Sequence, residues 1–176
     1  FEWARQRFIE EARNVSRCSH RNVLKVHDVF EANGTAYMPT SYETGCTLSE
    51  WMNRLGRAPT YEEAMSILLP LLDGLEHVHQ NGLLHRDIKP DNVWIRDDGS
   101  PVLLDFGAAR ELIGSRSRSM TALVSSGYTP LEQYSTEDAA HVGAATDLYA
   151  YAATAYRMLA GEKQPEATRR LSRSTG

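Results

Sequence analysis

The chain has 176 residues, of which 41% are hydrophobic, and a formal net charge of −4. That length can bury one sizeable core or form part of a larger domain. The negative charge and the scattered arginines argue against a nonspecific nucleic-acid binder, because affinity for phosphate backbones needs clustered positive charge. The two cysteines, Cys18 and Cys46, supply no disulfide framework or metal quartet and indicate a reducing interior. No apolar run reaches the roughly 20 residues that span a bilayer, so we expect no membrane contact within this segment.

The first third of the chain predicts one helix and one hairpin. Apolar residues recur at helical spacing from about Trp3 to Cys18, in a stretch otherwise rich in charge. Residues 22–30 and 35–40 have strand character, and the Asn33-Gly34 dipeptide between them favours the positive φ angles of a tight hairpin turn. We therefore expect a charged helix followed by an antiparallel pair of strands.

Two capping boxes predict the next two helix starts. In Thr47-Leu-Ser-Glu50 and in Thr60-Tyr-Glu-Glu63, the hydroxyl and the later carboxylate can each satisfy an exposed backbone amide. The second helix is predicted to run to about Gln80, and Pro70 within it removes one backbone hydrogen bond. Its predicted apolar face comprises Met65, Leu68, Leu69, Leu72 and Leu75.

Short strands and a final helix complete the predicted elements. Strands at Val93 to Arg96 and Val102 to Leu104 are separated by an Asp98-Gly99 turn. A helix over about 144–160 ends at Gly161, and its high apolar content predicts burial nearly all round. Its predicted apolar face comprises Leu148, Tyr151, Ala152, Ala155 and Leu159.

Two short motifs carry the chemistry. His-Arg-Asp-Ile-Lys-Pro-Asp-Asn, residues 85–92, concentrates carboxylates, cations, an imidazole and a carboxamide in eight positions. Any one of these residues alone is best explained as a solvated loop side chain, but the ordered set indicates a chemical site. Leu-Leu-Asp-Phe-Gly, residues 103–107, follows the second short strand. Asp105 and Asn92 can together offer oxygen ligands to a hard cation such as Mg²⁺, which also takes water and phosphate oxygens.

These motifs resemble the catalytic core of the protein kinases. His85-Arg86-Asp87 with Asn92 is similar to the catalytic loop, and Asp105-Phe106-Gly107 is similar to the magnesium-binding motif. Lys89 is typical of the serine/threonine type. Gly-Tyr-Thr-Pro-Leu-Glu-Gln-Tyr at residues 127–134 resembles bacterial members of the family in particular.

The resemblance implies a fold and an activity. The fold would be the α+β, bilobal protein kinase fold in truncated form, with a small-lobe remnant over residues 1–41 and a large lobe over residues 42–176. The activity would be transfer of the γ-phosphoryl group of ATP to a serine or threonine hydroxyl of a protein, which includes the kinase itself, with ATP and Mg²⁺ or Mn²⁺ as cofactors. We expect a cytoplasmic domain, with any membrane anchor of the parent protein outside this segment.

Four residues would carry the reaction in this family. Asp87 would accept a hydrogen bond from the substrate hydroxyl and act as the base, and Lys89 would offset negative charge at the γ-phosphate. Asn92 and Asp105 would hold the metal ions that bridge the phosphates.

Nucleotide binding would involve residues outside these motifs. Glu11, in preference to Glu10, matches the helix glutamate that pairs with a strand lysine in kinases, but no lysine precedes it in this chain. Ser41 and Tyr42 fall where adenine would meet the linker backbone, and Trp94 replaces the usual aliphatic residue under the adenine. Because the glycine-rich loop and that lysine are missing, we expect a fragment that transfers phosphate poorly on its own.

Regulation would centre on Arg86. In kinases with arginine before the catalytic aspartate, that guanidinium pairs with a phosphorylated residue of the activation segment. We expect autophosphorylation between Ser117 and Thr121, a stretch that includes Ser119. Ser125 matches a family hydroxyl that bonds to the catalytic aspartate and lysine.

The resemblance also implies residues with structural roles. His85 would pack under the ring of Phe106, and Gly107 would permit the following turn. Asp147 would bind the backbone of the catalytic loop. Glu132 ends a partial match to the family's Ala-Pro-Glu motif.

Two other functions stay open at this stage. A pseudokinase or ATP-binding regulatory module would lack the glycine-rich loop and strand lysine upstream of this segment. A small-molecule kinase of related fold, such as an aminoglycoside phosphotransferase, also has a His-x-Asp loop and a downstream asparagine. Arg86, Lys89 and the motif at residues 127–134 favour instead an enzyme that docks a polypeptide.

Overall fold

A computed structural model describes residues 2–106, 125–134 and 141–169 of the chain. It contains helices α1 (Glu2–Ser16), α2 (Leu48–Leu55), α3 (Tyr61–Gln80) and α4 (Ala144–Ala160), and strands β1 (Phe30–Ala32), β2 (Thr35–Tyr37), β3 (Gly45–Thr47), β4 (Val93–Arg96) and β5 (Pro101–Leu103). One antiparallel sheet consists of β1 and β2, and a second has the order β3-β4-β5. Antiparallel sheets with separate helices confirm the predicted α+β class.

Both predicted capping boxes are confirmed. The amide of Glu50 donates to Thr47 Oγ1 at 3.1 Å, and the amide of Thr47 donates to Glu50 Oε2 at 3.0 Å. Thr60 and Glu63 make the same reciprocal pair at the start of α3. Arg57 adds two bonds of 2.8 Å to the Glu63 carboxylate, and this pairing lowers the pKa of Glu63 to about 2. Two local signals thus begin α2 and α3 where the sequence predicts.

The predicted strand over residues 22–30 is wrong for most of its length, because β1 begins only at Phe30. The preceding residues bond first to β5, where the amide of Leu24 donates to Leu103 at 2.9 Å, and then to residues 39–41. Pro39 has no N–H, so the ladder with residues 22–29 is interrupted and β2 is shorter than the predicted 35–40. The Asn33-Gly34 turn is confirmed, with φ angles of 51° and 72°. The sequence does not predict β3, which is only three residues long.

In the main core, α3 packs against β5 of the second sheet and against α4. The buried residues of α3 are Ala64, Ile67, Leu68, Leu71, Gly74, Leu75 and Val78. The predicted face is therefore partly wrong, because Leu69 and Leu72 are 59% and 37% exposed. Apolar residues occupy nearly every angle of this helix, so periodicity alone cannot select the buried stripe. The buried stripe includes Gly74, where α3 approaches its neighbour closely: a Cβ at this position would lie 3.1 Å from Cβ of Asn22.

The bounds of α4 agree with the prediction, and Gly161 ends it with φ +75°. The expectation of burial nearly all round is wrong, because Leu148 and Leu159 of the predicted face are 47% and 49% exposed. The residues that face the core are mostly small or polar: Thr146, Asp147, Ala150, Ala153, Thr154 and Met158. The small side chains let α4 approach α3 closely, and Met158 is buried while Leu148 and Leu159 are left outside.

A second, smaller core lies under α1. Ile9, Ala12 and Val15 of this helix pack with Val26 and Val29. The ring of Phe106 contacts both cores, so the start of the Asp-Phe-Gly motif lies at their junction. The division of the chain at residue 41 stays a prediction. In the parts of the chain that the structure describes, no helix has the length and apolar character needed to cross a membrane.

Candidate active site

The backbone of the catalytic loop is bonded to a carboxylate of α4. Asp147 is fully buried, and its two oxygens accept the amides of His85 at 2.8 Å and Arg86 at 2.6 Å. His79 of α3 places Nε2 2.9 Å from Asp147 Oδ2. A buried carboxylate requires such donors. Arg86 is held at φ +64°, an uncommon angle for a residue other than glycine.

Sequence reasoning missed His79 as a partner of Asp147. The available signal was a histidine near the end of a helix whose neighbour Val78 is a core residue. That signal is weak, because the contact joins residues 68 positions apart.

The imidazole of His85 joins the loop to the Asp-Phe-Gly motif. Its Nε2 donates to the carbonyl of Leu104 at 2.7 Å, and its ring centroid lies 5.1 Å from that of Phe106. His85 is fully buried, and burial lowers its pKa below the ordinary value. The neutral ring therefore acts as a donor and packing group here.

Three polar side chains bond to the carboxylate of Asp87. Lys89 Nζ lies 2.9 Å and Asn92 Nδ2 lies 2.8 Å from Asp87 Oδ2. The hydroxyl of Ser125 lies 3.2 Å from Asp87 Oδ1 and accepts from Lys89 Nζ at 3.1 Å. A short turn at Pro90–Asn92 brings Asn92 back onto the aspartate. Residues 36 to 38 positions apart in sequence thus form one hydrogen-bonded cluster.

Asn92 and Asp105 offer oxygens beside this cluster. The amide nitrogen of Asn92 is used on Asp87, so its carbonyl oxygen is the part of the side chain that can accept a cation. Leu104 donates its amide to the carbonyl of Asn92 at 2.9 Å, which places Asp105 one residue away. Asp105 is exposed, at φ +41°.

This donor chemistry fits a magnesium ion. Mg²⁺ is a hard cation that prefers oxygen ligands, and it commonly takes one or two of them from the protein and the rest from phosphates and water. Among the residues that the structure describes, no three His, Cys, Asp or Glu side chains come together as a metal cluster.

The other residues predicted to bind nucleotide lie in three parts of the structure: in α1, between β2 and β3, and in β4. Glu11 of α1 lies 4.0 Å from the guanidinium of Arg86, and both line a cavity that Phe106 also lines. Ser41 Oγ lies 3.0 Å from His27 Nε2. The side chain of Tyr42 is 92% exposed.

Trp94 lies on β4 and shares a face of that strand with a residue that pairs with the linker, by which we mean residues 38–44 between β2 and β3. Side chains alternate along a strand, so Trp94 and Arg96 share a face of β4. Arg96 makes two bonds of 2.6 and 3.0 Å to the carboxylate of Glu43 in the linker, and this pairing lowers the pKa of Glu43. The indole N–H of Trp94 is buried and has no hydrogen-bond partner within the described ranges. Trp94 thus lies on the same face of β4 as the residue that pairs with Glu43.

The segment over residues 125–134 packs beside the catalytic loop. Glu132 Oε1 accepts the hydroxyl of Thr146 at 2.8 Å, and Gln133 donates its amide to the carbonyl of Arg86 at 3.1 Å. Sequence reasoning missed Gln133, because nothing local distinguishes a loop glutamine. The predicted residues Gly107, Ser117, Ser119 and Thr121 lie outside the described residues.

Comparisons with known proteins agree on one family. The sequence model of the protein kinase domain matches residues 2–173. The serine/threonine-protein kinase PknB of Mycobacterium leprae (strain TN) is 33% identical over 162 residues, which cover 89% of this chain and 25% of PknB. The serine/threonine-protein kinase PrkC of Bacillus subtilis (strain 168) is 31% identical over 160 residues, which cover 89% of this chain and 24% of PrkC.

A solved structure has the same fold. PpkA-294 in its apo form superposes with a TM-score of 0.84 and 37% sequence identity, over 97% of this chain and 59% of that one. The chain spans about a quarter of the length of the curated relatives it matches.

Proposed function

The chain belongs to the protein kinase domain family, and from that premise we propose that it transfers the γ-phosphoryl group of ATP to serine or threonine hydroxyls of a protein. The observation that carries the proposal is the cluster in which Lys89, Asn92 and Ser125 all bond to the carboxylate of Asp87. Phosphoryl transfer needs positioning and charge stabilisation more than covalent catalysis, and this cluster supplies both.

Asp87 is the proposed base. One of its oxygens already lies 3.2 Å from a serine hydroxyl, that of Ser125, so a substrate hydroxyl can be bonded in the same way. That bond would orient the hydroxyl for in-line attack, and the proton would pass to Asp87 as the new bond forms. The ammonium of Lys89, 2.9 Å from Asp87 Oδ2, stays beside the transferred group and offsets its negative charge.

Asn92 and Asp105 are the proposed ligands for Mg²⁺ or Mn²⁺. The ion, when bound, neutralises charge on the phosphates of ATP. What supports this pairing is that the amide of Leu104, the residue before Asp105, donates to the backbone carbonyl of Asn92 and so brings the two residues' backbones close together. The backbone at Ser41 and Tyr42 would meet the adenine, and the indole of Trp94 would form the surface beneath it.

Arg86 is the proposed receptor for a regulatory phosphate. Its backbone is fixed at both ends, since the amide bonds to Asp147 and the carbonyl bonds to Gln133. A guanidinium on a fixed backbone can bind a phosphate group in bidentate fashion. Phosphorylation at Ser117, Ser119 or Thr121 would then bind the activation segment to the catalytic loop.

The test uses the full-length protein that carries this chain. With Mg²⁺, radiolabelled ATP and dephosphorylated casein, we expect transfer to serine or threonine, and we expect Asp87→Asn to lower kcat by about 10³-fold. Asp97→Asn, an exposed carboxylate close in sequence, is the matched control and should keep the rate. No transfer by the unaltered protein, with ATP still bound, would reject the enzyme in favour of a binding module.

A further inference from the structure

Residues 126, 127 and 128 lie beside the catalytic loop, and each of them contacts the segment over residues 163–166. We call residues 125–128 the shelf. Ser126 Oγ donates to Glu166 Oε1 at 2.7 Å, Gln164 Nε2 donates to the carbonyl of Gly127 at 2.9 Å, and Lys163 Nζ lies 5.7 Å from the ring centroid of Tyr128. The shelf is thus bound along its length to residues 163–166.

The other end of the shelf is bound to the reacting groups. Ser125 contacts both Asp87 and Lys89, and the next residue, Ser126, contacts Glu166. Gly127 needs glycine, because φ is +84° and a Cβ would lie 2.8 Å from the carbonyl oxygen of Gln164. The shelf therefore begins at a residue bonded to Asp87 and borders the position that a substrate hydroxyl would occupy.

The bond between Ser126 and Glu166 is the strongest of the three by geometry. Hydrogen bonds to a carboxylate are shorter and stronger than neutral ones, and 2.7 Å is typical of them. The Glu166 side chain is 35% exposed, and Arg169 lies 3.8 Å from its other oxygen. Ser126 itself is exposed, and this bond is the side-chain contact that joins it to residues 163–166.

We propose that Glu166 is a positioning residue: by accepting the hydroxyl of Ser126 it fixes the shelf on which the protein substrate lies beside Asp87. This inference rests on the proposed kinase function and adds a determinant of protein-substrate binding. Glu166 touches neither the nucleotide nor the reacting atoms, so its loss should weaken protein binding and leave the ATP side unchanged.

The experiment compares single and double variants of the full-length protein. We expect Ser126→Ala and Glu166→Ala each to raise KM for dephosphorylated casein roughly fivefold, with kcat and KM for ATP unchanged. KM of the double variant for casein should be no higher than that of either single variant, because the two substitutions remove the same bond. Glu166→Gln keeps an acceptor oxygen, so its KM for casein should remain near that of the unaltered protein. Glu162→Ala, an exposed carboxylate in the same segment, is the control.

Other outcomes would overturn the inference. Additive effects would show two independent contributions, and a Glu166→Gln variant as poor as Glu166→Ala would assign the effect to the ion pair with Arg169. A parallel rise in KM for ATP, or a lower unfolding midpoint, would show a general structural role. If the unaltered protein transfers phosphate and the variants keep its KM for casein, this inference fails alone. If the unaltered protein transfers none, the proposed function fails and the inference fails with it.

Discussion

The backbone amide of Arg86 donates to Oδ1 of Asp147 across 2.6 Å, and this bond attaches the catalytic loop to helix α4. The second oxygen of the same carboxylate accepts from His85 and lies within bonding distance of His79. A fully buried charge is costly unless it is satisfied. Asp147 therefore stabilises the loop and depends on it in return.

Asp147→Asn should lower the free energy of unfolding by about 3 kcal/mol. The amide that replaces one oxygen is a donor, and it would face the N–H of either Arg86 or His85. Urea unfolding at neutral pH measures the change. Asp73→Asn, on exposed α3 surface beside His20, should change stability by less than about 0.5 kcal/mol. Equal losses in the two variants would contradict the account of Asp147.

Gly45→Ala should destabilise the chain far more than Gly56→Ala. Gly45 has φ +138°, and a Cβ there would lie 2.0 Å from the carbonyl oxygen of Ile95, so β3 has to separate from β4. Gly56 has φ +66° with open space around it, so only the left-handed backbone cost of about 1 kcal/mol applies. We expect Gly45→Ala to cost at least about 3 kcal/mol. Thermal unfolding of the two variants measures the difference. Equal unfolding midpoints would contradict the expected effect of the Gly45 substitution.

The pH dependence of stability should include a contribution from His85. Burial lowers its pKa in the folded chain, and the nearby carboxylates of Asp147, Asp87 and Asp105 oppose this without reversing it. As pH falls below about 6.5, the ordinary value, the unfolded chain binds a proton that the folded chain refuses. The contribution of His85 to the free energy of unfolding is therefore fully present above that pH, and it is lost as the solution becomes more acidic.

His85→Phe removes the titrating group and keeps a ring beside Phe106. It should be less stable at pH 7, because the carbonyl of Leu104 loses its donor, but it should lose less stability between pH 7 and pH 5. Urea unfolding at several pH values gives both slopes. A variant slope as steep as that of the unaltered chain would show that His85 does not contribute.

Ser125→Ala should reduce kcat of the full-length protein by roughly tenfold. Its hydroxyl bonds to both Asp87 and Lys89, so its loss lets these two side chains move apart and weakens the positioning on which the proposed reaction depends. Ser125→Thr retains a hydroxyl and should recover most of the rate. Steady-state kinetics with dephosphorylated casein tests this pair of variants. If Ser125→Ala kept the full kcat and Ser125→Thr did not, the positioning role of the hydroxyl would be rejected.

Much of the fold follows from local signals. The capping boxes at Thr47 and Thr60, the Asn33-Gly34 turn and the stop at Gly161 depend on residues within a few positions of one another. For the same reason the sequence indicates which residues take part in the site, since residues 85–92 and 103–107 each form a compact motif.

The tertiary structure decided which faces are buried and which distant residues meet. The sequence by itself determined the helix starts, the hairpin turn and the polar groups of the site, because those depend on short-range hydrogen bonding and backbone preference. It left open the buried stripe of α3, the exposed leucines of α4, and the contacts of Asp147 with His79 and of Ser126 with Glu166. Those depend on close packing between elements 40 to 68 residues apart, where the shapes of both partners select the contact.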